Sequence, residues 1–178
     1  MESDFDYEAA IAACARGERF ALRALYVRES HRLLGVALRL LRRKEVAEEV
    51  LQDAFLQIWE KASTFDASLG SGRGWIYSIV RHRALNELRR SGPVATVDDE
   101  TLARLADSPA NHYRGPRADA DALSDCMKHL DAQRQQSILL AFVEGYSHEQ
   151  IAQRLQTPLG TIKSWIRRGL IALKECMS

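Results

Sequence analysis

The chain predicts an all-α protein: two small helical domains joined by a flexible linker, the second containing a helix-turn-helix. Three observations carry this. Apolar residues recur at helical spacing through residues 1–92 and again through 117–178, with no sustained strand-type alternation. Three of the four prolines fall in one stretch, "SGPVATVDDETLARLADSPANHYRGP" at 91–116, among Ser, Thr and Asn and with little periodicity. Finally, "SHEQIAQRLQTPLGTIKSWIRRGLIALKE" reads as two helices around a tight turn. The domain boundaries that follow are 1–92, a linker at 93–116 with one short helical turn near 100–105, and 117–178.

Composition bounds the rest. With 178 residues, 28% charged and 46% hydrophobic, the chain is long enough to bury a core and reads as globular. The start "MESDFDYEAAIAACARGERF" has neither the basic opening nor the apolar run of a signal peptide, and no stretch has the apolar length of a membrane span. The expected location is the cytoplasm, with no membrane insertion of its own.

In the first domain, "EVAEEVLQDAFLQIWEKA" places Val46, Ala47, Val50, Leu51, Ala54, Phe55, Ile58 and Trp59 on one broad helix face. Glu45, Glu49, Gln52, Asp53 and Glu60 take the other. Leu56 projects from the middle of that polar face, where burial gives it no reason to be. An apolar centre with an acidic rim suits a basic protein partner, although a single exposed Leu is ordinary by itself. Next comes "GSGRGWIYSIVRHRALNELRR". After a Gly-rich loop, a helix bears Trp75, Tyr77, Arg81, His82, Arg83, Arg89 and Arg90. Aromatics interleaved with Arg suit unpaired bases, which stack on rings while cations hold phosphates; the plainer alternative is that Trp75 and Ile76 are core.

In the second domain Ser147 and Gln150 form a capping box for the first helix of the motif. Ile151, Ala152 and Leu155 face inward, and Gln156-Thr157 makes the turn, Gln156 standing where Gly often supplies a positive φ. Thr157 is the expected N-cap of the second helix, with Pro158 in its first position. Ile162, Ile166, Leu170 and Leu173 form the buried face. Lys163, Ser164, Arg167 and Arg168 lie on the other, with no acid in that helix until Glu175. Cations near a helix N-terminus oppose the dipole, so the face is suited to an outside anion. In a helix-turn-helix the second helix enters the major groove, where these side chains meet base edges and phosphates.

Charge is distributed in blocks although the net formal charge is only +1. Residues 73–90 carry five Arg against Glu87, and 154–178 carry five Lys or Arg against Glu175. Residues 45–60 hold five acids and no base, and 119–152 hold six acids against Lys128 and Arg134. Any one such patch is usually a solvated helix face, but two basic patches in separate domains suit phosphate binding.

Three cysteines make neither a zinc pattern nor a disulfide framework. Cys126 belongs to the stripe Leu123, Cys126, Met127, Leu130. Cys176 belongs to Ile166, Leu170, Leu173, Cys176, Met177. Both stripes point at one small core. Each Cys reads as a small buried hydrophobe, the reading a reducing cytosol favours. The sharper alternative is a reversible redox pair, with Cys14 free either way. Paired carboxylates, metal-ligand spacing and a Gly-rich phosphate loop are all missing from the sequence, and His31, His82, His112, His129 and His148 are scattered. No enzymatic activity, metal or cofactor is expected.

Taken in order, "AEEVLQDAFLQIWEKASTF", "GWIYSIVRHRALNELRR", a linker and "GTIKSWIRRGL" resemble the extracytoplasmic-function (group 4) sigma factors of bacterial RNA polymerase. The match spans nearly the whole chain. The resemblance implies an alternative sigma factor that binds core RNA polymerase and directs promoter-specific initiation. Glu49, Gln52, Asp53 and Leu56 match the positions that dock on the clamp helices of the largest polymerase subunit. The helix carrying Trp75 to Arg90, with its preceding loop, would capture and open the −10 element of promoter DNA. Lys163, Ser164, Arg167 and Arg168 would read the −35 element. The family often has Asn where this chain has His82, and more often Arg where it has Trp165. An anti-sigma factor is an implied partner. The alternative class is a two-domain helix-turn-helix repressor or activator, which would bind duplex DNA unaided and have no use for the "LQDAF" surface.

Overall fold

The computed structural model describes residues 5–91 and 117–178. They form two compact units, one on each side of the undescribed stretch. The expected linker at 93–116, including the helical turn near 100–105, lies outside the described residues. Every regular element among those described is a helix.

The first unit comprises α1 (Tyr7–Ala15), α2 (Arg19–Leu41), α3 (Lys44–Lys61), a 3-10 turn (Ala62–Thr64) and α4 (Gly72–Ser91). Asp6 caps α1, its carboxylate accepting the Ala9 N–H at 2.8 Å. α2 stops at Arg42, whose left-handed φ of 54° reverses the chain within two residues into α3. Helical periodicity sends Ile11, Leu25, Leu33, Leu51, Phe55, Ile58, Ile76 and Val80 into one core. A smaller cluster of Ala37, Leu38, Leu41, Ala47, Val50 and Ala84 closes the other end. Each fully buried Leu, Ile or Phe contributes about 1.5–3 kcal/mol by leaving water, which fixes α3 and α4 against α2.

The second unit comprises α5 (Arg117–Lys128), α6 (Ala132–Ile138), a π-helical segment (Leu139–Val143), α7 (His148–Arg154) and α8 (Leu159–Met177). The capping box is present as the sequence predicts: Ser147 Oγ accepts the Gln150 N–H at 3.2 Å, and Gln150 Oε1 accepts the Ser147 N–H at 2.8 Å. Ile151, Ile162, Ile166 and Ala141 form the core under the turn. Gln156 does adopt the positive φ, 49°, at a strain of roughly 1–2 kcal/mol for a residue with a Cβ. One detail differs. The cap of α8 is Pro158, not Thr157, whose hydroxyl instead donates to the Leu155 carbonyl at 3.0 Å and closes the turn. Proline's extended ψ of 140° leaves its carbonyl to accept the first N–H bonds of α8, from Thr161 and Ile162. At Gly169 α8 runs against α6, where an added Cβ would stand 2.5 Å from Ile138 Cδ1.

Cys126 and Cys176 are joined by a disulfide, with Cα atoms 5.9 Å apart, rather than being two separate thiols. Only Cys126 is buried; Cys176 sits exposed near the end of α8, not inside the core as its stripe suggests. The bond fastens α5 to α8 beside Ile138 and Leu173. Cys14 is free and buried, and burial raises its thiol pKa.

Candidate protein and nucleic-acid interfaces

On α3 the apolar face is consumed by the core, so the polar face turns outward as a unit. Glu45, Glu49, Gln52, Asp53 and Glu60 are exposed. Leu56 stands among them at 59% exposure, high for a leucine with a core one turn away. Asp53 is not isolated, since Arg83 of α4 reaches it at 3.4 Å and donates to Gln57 at 2.7 Å. The acidic face therefore borders the basic helix.

On α4, Gly72, Ile76, Ile79, Val80 and Ala84 are buried, and the aromatics expected to meet bases are only half-buried. Trp75 packs its ring 5.5 Å from that of Phe65, leaving part of it accessible. Tyr77 lies under the Arg32 guanidinium at 5.8 Å. Arg81 and His82 are half-buried. The last turn is exposed: Arg89 donates to Asn86, and Arg90 makes a forked contact with Glu87 at 2.9–3.1 Å. Ser91 donates to the same carboxylate, and these bonds hold the Glu87 carboxyl below its ordinary pKa. Such intrahelical pairs at the surface contribute little and exchange readily for phosphates.

Sequence patterning missed what holds the start of α4. Glu29 of α2 is completely buried. Its carboxylate accepts from Tyr7 Oη of α1, from Arg32 Nε at 2.6 Å and from Arg73 Nε of α4 at 3.0 Å. A buried carboxylate needs such partners, because leaving one unpaired costs several kcal/mol. Burial and the bond to Glu29 raise the Tyr7 phenol pKa, so it remains a donor. Arg73, counted in the basic stretch by sequence, thus turns toward an internal acid. No periodicity marks this pairing; the only cue was an acid on the apolar side of α2. On the same helix Phe20 and Val27 are 70% and 73% exposed, flanking a shallow groove with Phe5, Arg23, Ala24 and Arg28.

On α8, Ile162, Ile166, Gly169 and Leu173 are buried. Lys163, Arg167 and Arg168 are exposed and Ser164 half-buried, so the four expected side chains share the outer side of its first three turns. There is no acid in the first turn. Glu149 of α7 lies in the field of Lys163; its carboxyl pKa is lowered, chiefly by its own backbone N–H, with Ser147, His148 and Lys163 adding to it. Trp165 is half-buried and packs against the Ile151–Ile162 cluster. Among the described residues no three His, Cys, Asp or Glu side chains converge as a metal site, and no helix is long and apolar enough to cross a membrane.

Comparison with known proteins places these surfaces in a family. Residues 25–93 match the family model for Sigma-70 region 2, and residues 120–173 that for Sigma-70 region 4. The chain is 31% identical to the ECF RNA polymerase sigma factor SigK of Mycobacterium sp. (strain KMS), over 97% of this chain and 91% of that protein. It is likewise 31% identical to that of Mycolicibacterium vanbaalenii, over 97% and 89%. A solved structure of CnrH in complex with the cytosolic domain of CnrY aligns over 96% of both chains at 20% identity and a TM-score of 0.47. A region 2 surface and a region 4 surface, in that order and with full-length relatives of the same kind, leave one conclusion: the chain belongs to the ECF RNA polymerase sigma factors.

Proposed function

We propose a division of labour for this sigma factor. The face of α3 docks core RNA polymerase through Glu49, Gln52, Asp53 and Leu56. α4 takes the −10 element through Trp75, Tyr77, Arg81, His82, Arg83, Arg89 and Arg90, and α8 reads the −35 element through Lys163, Ser164, Arg167 and Arg168. The observation that carries this is Leu56, an exposed apolar residue ringed by acids on a helix whose other face is fully used by the core. A DNA-binding repressor has no use for such a surface. An anti-sigma protein is the proposed negative regulator, and the Cys126–Cys176 bond a redox clip on the domain that it would have to grip. The purified chain should convert core polymerase into a promoter-specific enzyme in a transcription assay. Leu56→Ala with Asp53→Ala should weaken competition for core polymerase while the melting curve stays that of the parent. Undiminished competition by the double variant would remove α3 as the docking site.

A further inference from the structure

α1 carries none of the expected docking or DNA-reading residues, yet three contacts tie it to the start of α4. Glu8 Oε1 accepts the Gly72 N–H at 2.6 Å, satisfying one of the open donors of α4 from a residue 64 positions away. Gly72 admits no side chain: a Cβ there would lie 2.9 Å from Ile11 Cδ1, 3.0 Å from Tyr7 Cβ and 3.2 Å from the Tyr7 backbone carbon. Tyr7 and Arg73 meet on the buried Glu29, with the Arg73 guanidinium 5.7 Å over the Tyr7 ring. The local cap, Ser71 Oγ accepting the Gly74 N–H at 3.1 Å, is a single exposed bond. The orientation of the first turn of α4 is therefore set from α1 and α2.

We propose that α1 is a positioning element for −10 capture. Tyr7, Glu8 and Glu29 fix the turn at Ser71, Gly72 and Arg73 from which Trp75 and Tyr77 project, so that the reading end is rigid before DNA arrives. The inference rests on the reading that α4 takes the −10 strand. A fixed first turn lowers the ordering cost of binding an unpaired strand, because the side chains that stack on bases need not be immobilised by the strand itself. The docking face of α3 is backed by Leu51, Ala54, Phe55 and Ile58 in the apolar core, and the hydrogen bonds of Tyr7, Glu8 and Glu29 run to α2 and α4 rather than to it.

The test uses holoenzyme assembled from the full chain and core polymerase. The probe is a forked fragment of a promoter that the parent transcribes, duplex at −35 and single-stranded at −10. Glu8→Ala and Tyr7→Phe each remove one polar contact and are expected to weaken fork binding about 3–10-fold, the effect of one lost hydrogen bond. Glu8→Gln keeps an acceptor oxygen and is expected to stay within about 2-fold of the parent. Competition for core polymerase is expected to be unchanged in all three. Tyr7→Phe deletes a single oxygen, so it carries the test even if Glu8→Ala folds poorly. Trp75→Ala, run in parallel, separates the two layers: fork binding unaffected by it overturns the −10 assignment itself. Weakening by Trp75→Ala together with parental binding by Tyr7→Phe and Glu8→Ala overturns the role of α1. A loss of core competition in proportion to the loss of fork binding also overturns it, since α1 would then be only a staple for the domain.

Discussion

Breaking the Cys126–Cys176 bond should loosen the second domain from one end, leaving the helix-turn-helix as its last ordered part. The bond joins residues 50 positions apart. Closing a loop of that length in the unfolded chain corresponds to about 4 kcal/mol at room temperature in the chain-entropy model. Little else fastens α5. Its described side chains from Asp119 to Asp125 are exposed, and its buried contribution is Cys126 with Met127 partly covered. The core around Ile151, Ile162 and Ile166 contains no residue of α5. For a domain of this size, about 4 kcal/mol corresponds to a fall in melting midpoint of roughly 15–30 °C, an upper limit because reduced chains retain some structure. The measurement is calorimetry of the full chain as Cys126→Ser and as parent with and without a thiol reductant, joined to amide exchange of α5. Cys14 does not interfere, being buried with a raised thiol pKa. A midpoint shift below roughly 4 °C, or α5 amides exchanging at parental rates after reduction, would refute the reasoning.

Two further outcomes are expected. Lys163→Ala and Arg168→Ala should lower transcription from a −35-dependent promoter and spare assembly with core polymerase. A lost base contact, worth about 1–3 kcal/mol of discrimination, should act only on the cognate −35 sequence, whereas a lost phosphate contact should weaken a scrambled one equally; parental activity of both variants would remove α8 as the reader. Gly169→Ala should destabilise the second domain by about 1–3 kcal/mol, because its methyl group enters the space of the buried Ile138 Cδ1, which must leave its packed position. An unchanged melting midpoint would show that Ile138 repacks freely.

What was legible in the sequence was local. The capping box, the positive φ at Gln156, the exposed Leu56 and the outward cations of α8 all follow from spacing within a single helix or turn. The cap of α8 was misplaced by one residue because Thr157 and Pro158 both satisfy helix-start rules and only the turn geometry decides between them. The pairing of Cys126 with Cys176 was an open alternative: two stripes facing one core make proximity plausible, but neither stripe states how far apart the helix ends lie. The Glu29 network was invisible because its partners come from three helices, and nothing in the spacing of Tyr7, Glu29 and Arg73 links them. Arg83 is a similar case, a cation assigned to DNA from its helix that also reaches back to Asp53 and Gln57.

The bond from Glu8 to Gly72 also sets an order of events on the ribosome. α1 is made before α4, and the part of its seat at Gly72 does not exist until a residue 64 positions after Glu8 has been added. At synthesis rates of roughly 5–20 residues per second, that is a wait of roughly 3–13 s, during which Glu29 has no Arg73 and Tyr7 lacks its contact with Gly72. α3 is complete before then and α4 is not. A nascent or truncated chain ending before Gly72 would therefore present the acidic docking helix with no organised reading end behind it. The N-terminal contacts come first, and the cores of the first domain close only when Ile76, Val80 and Ala84 of α4 follow.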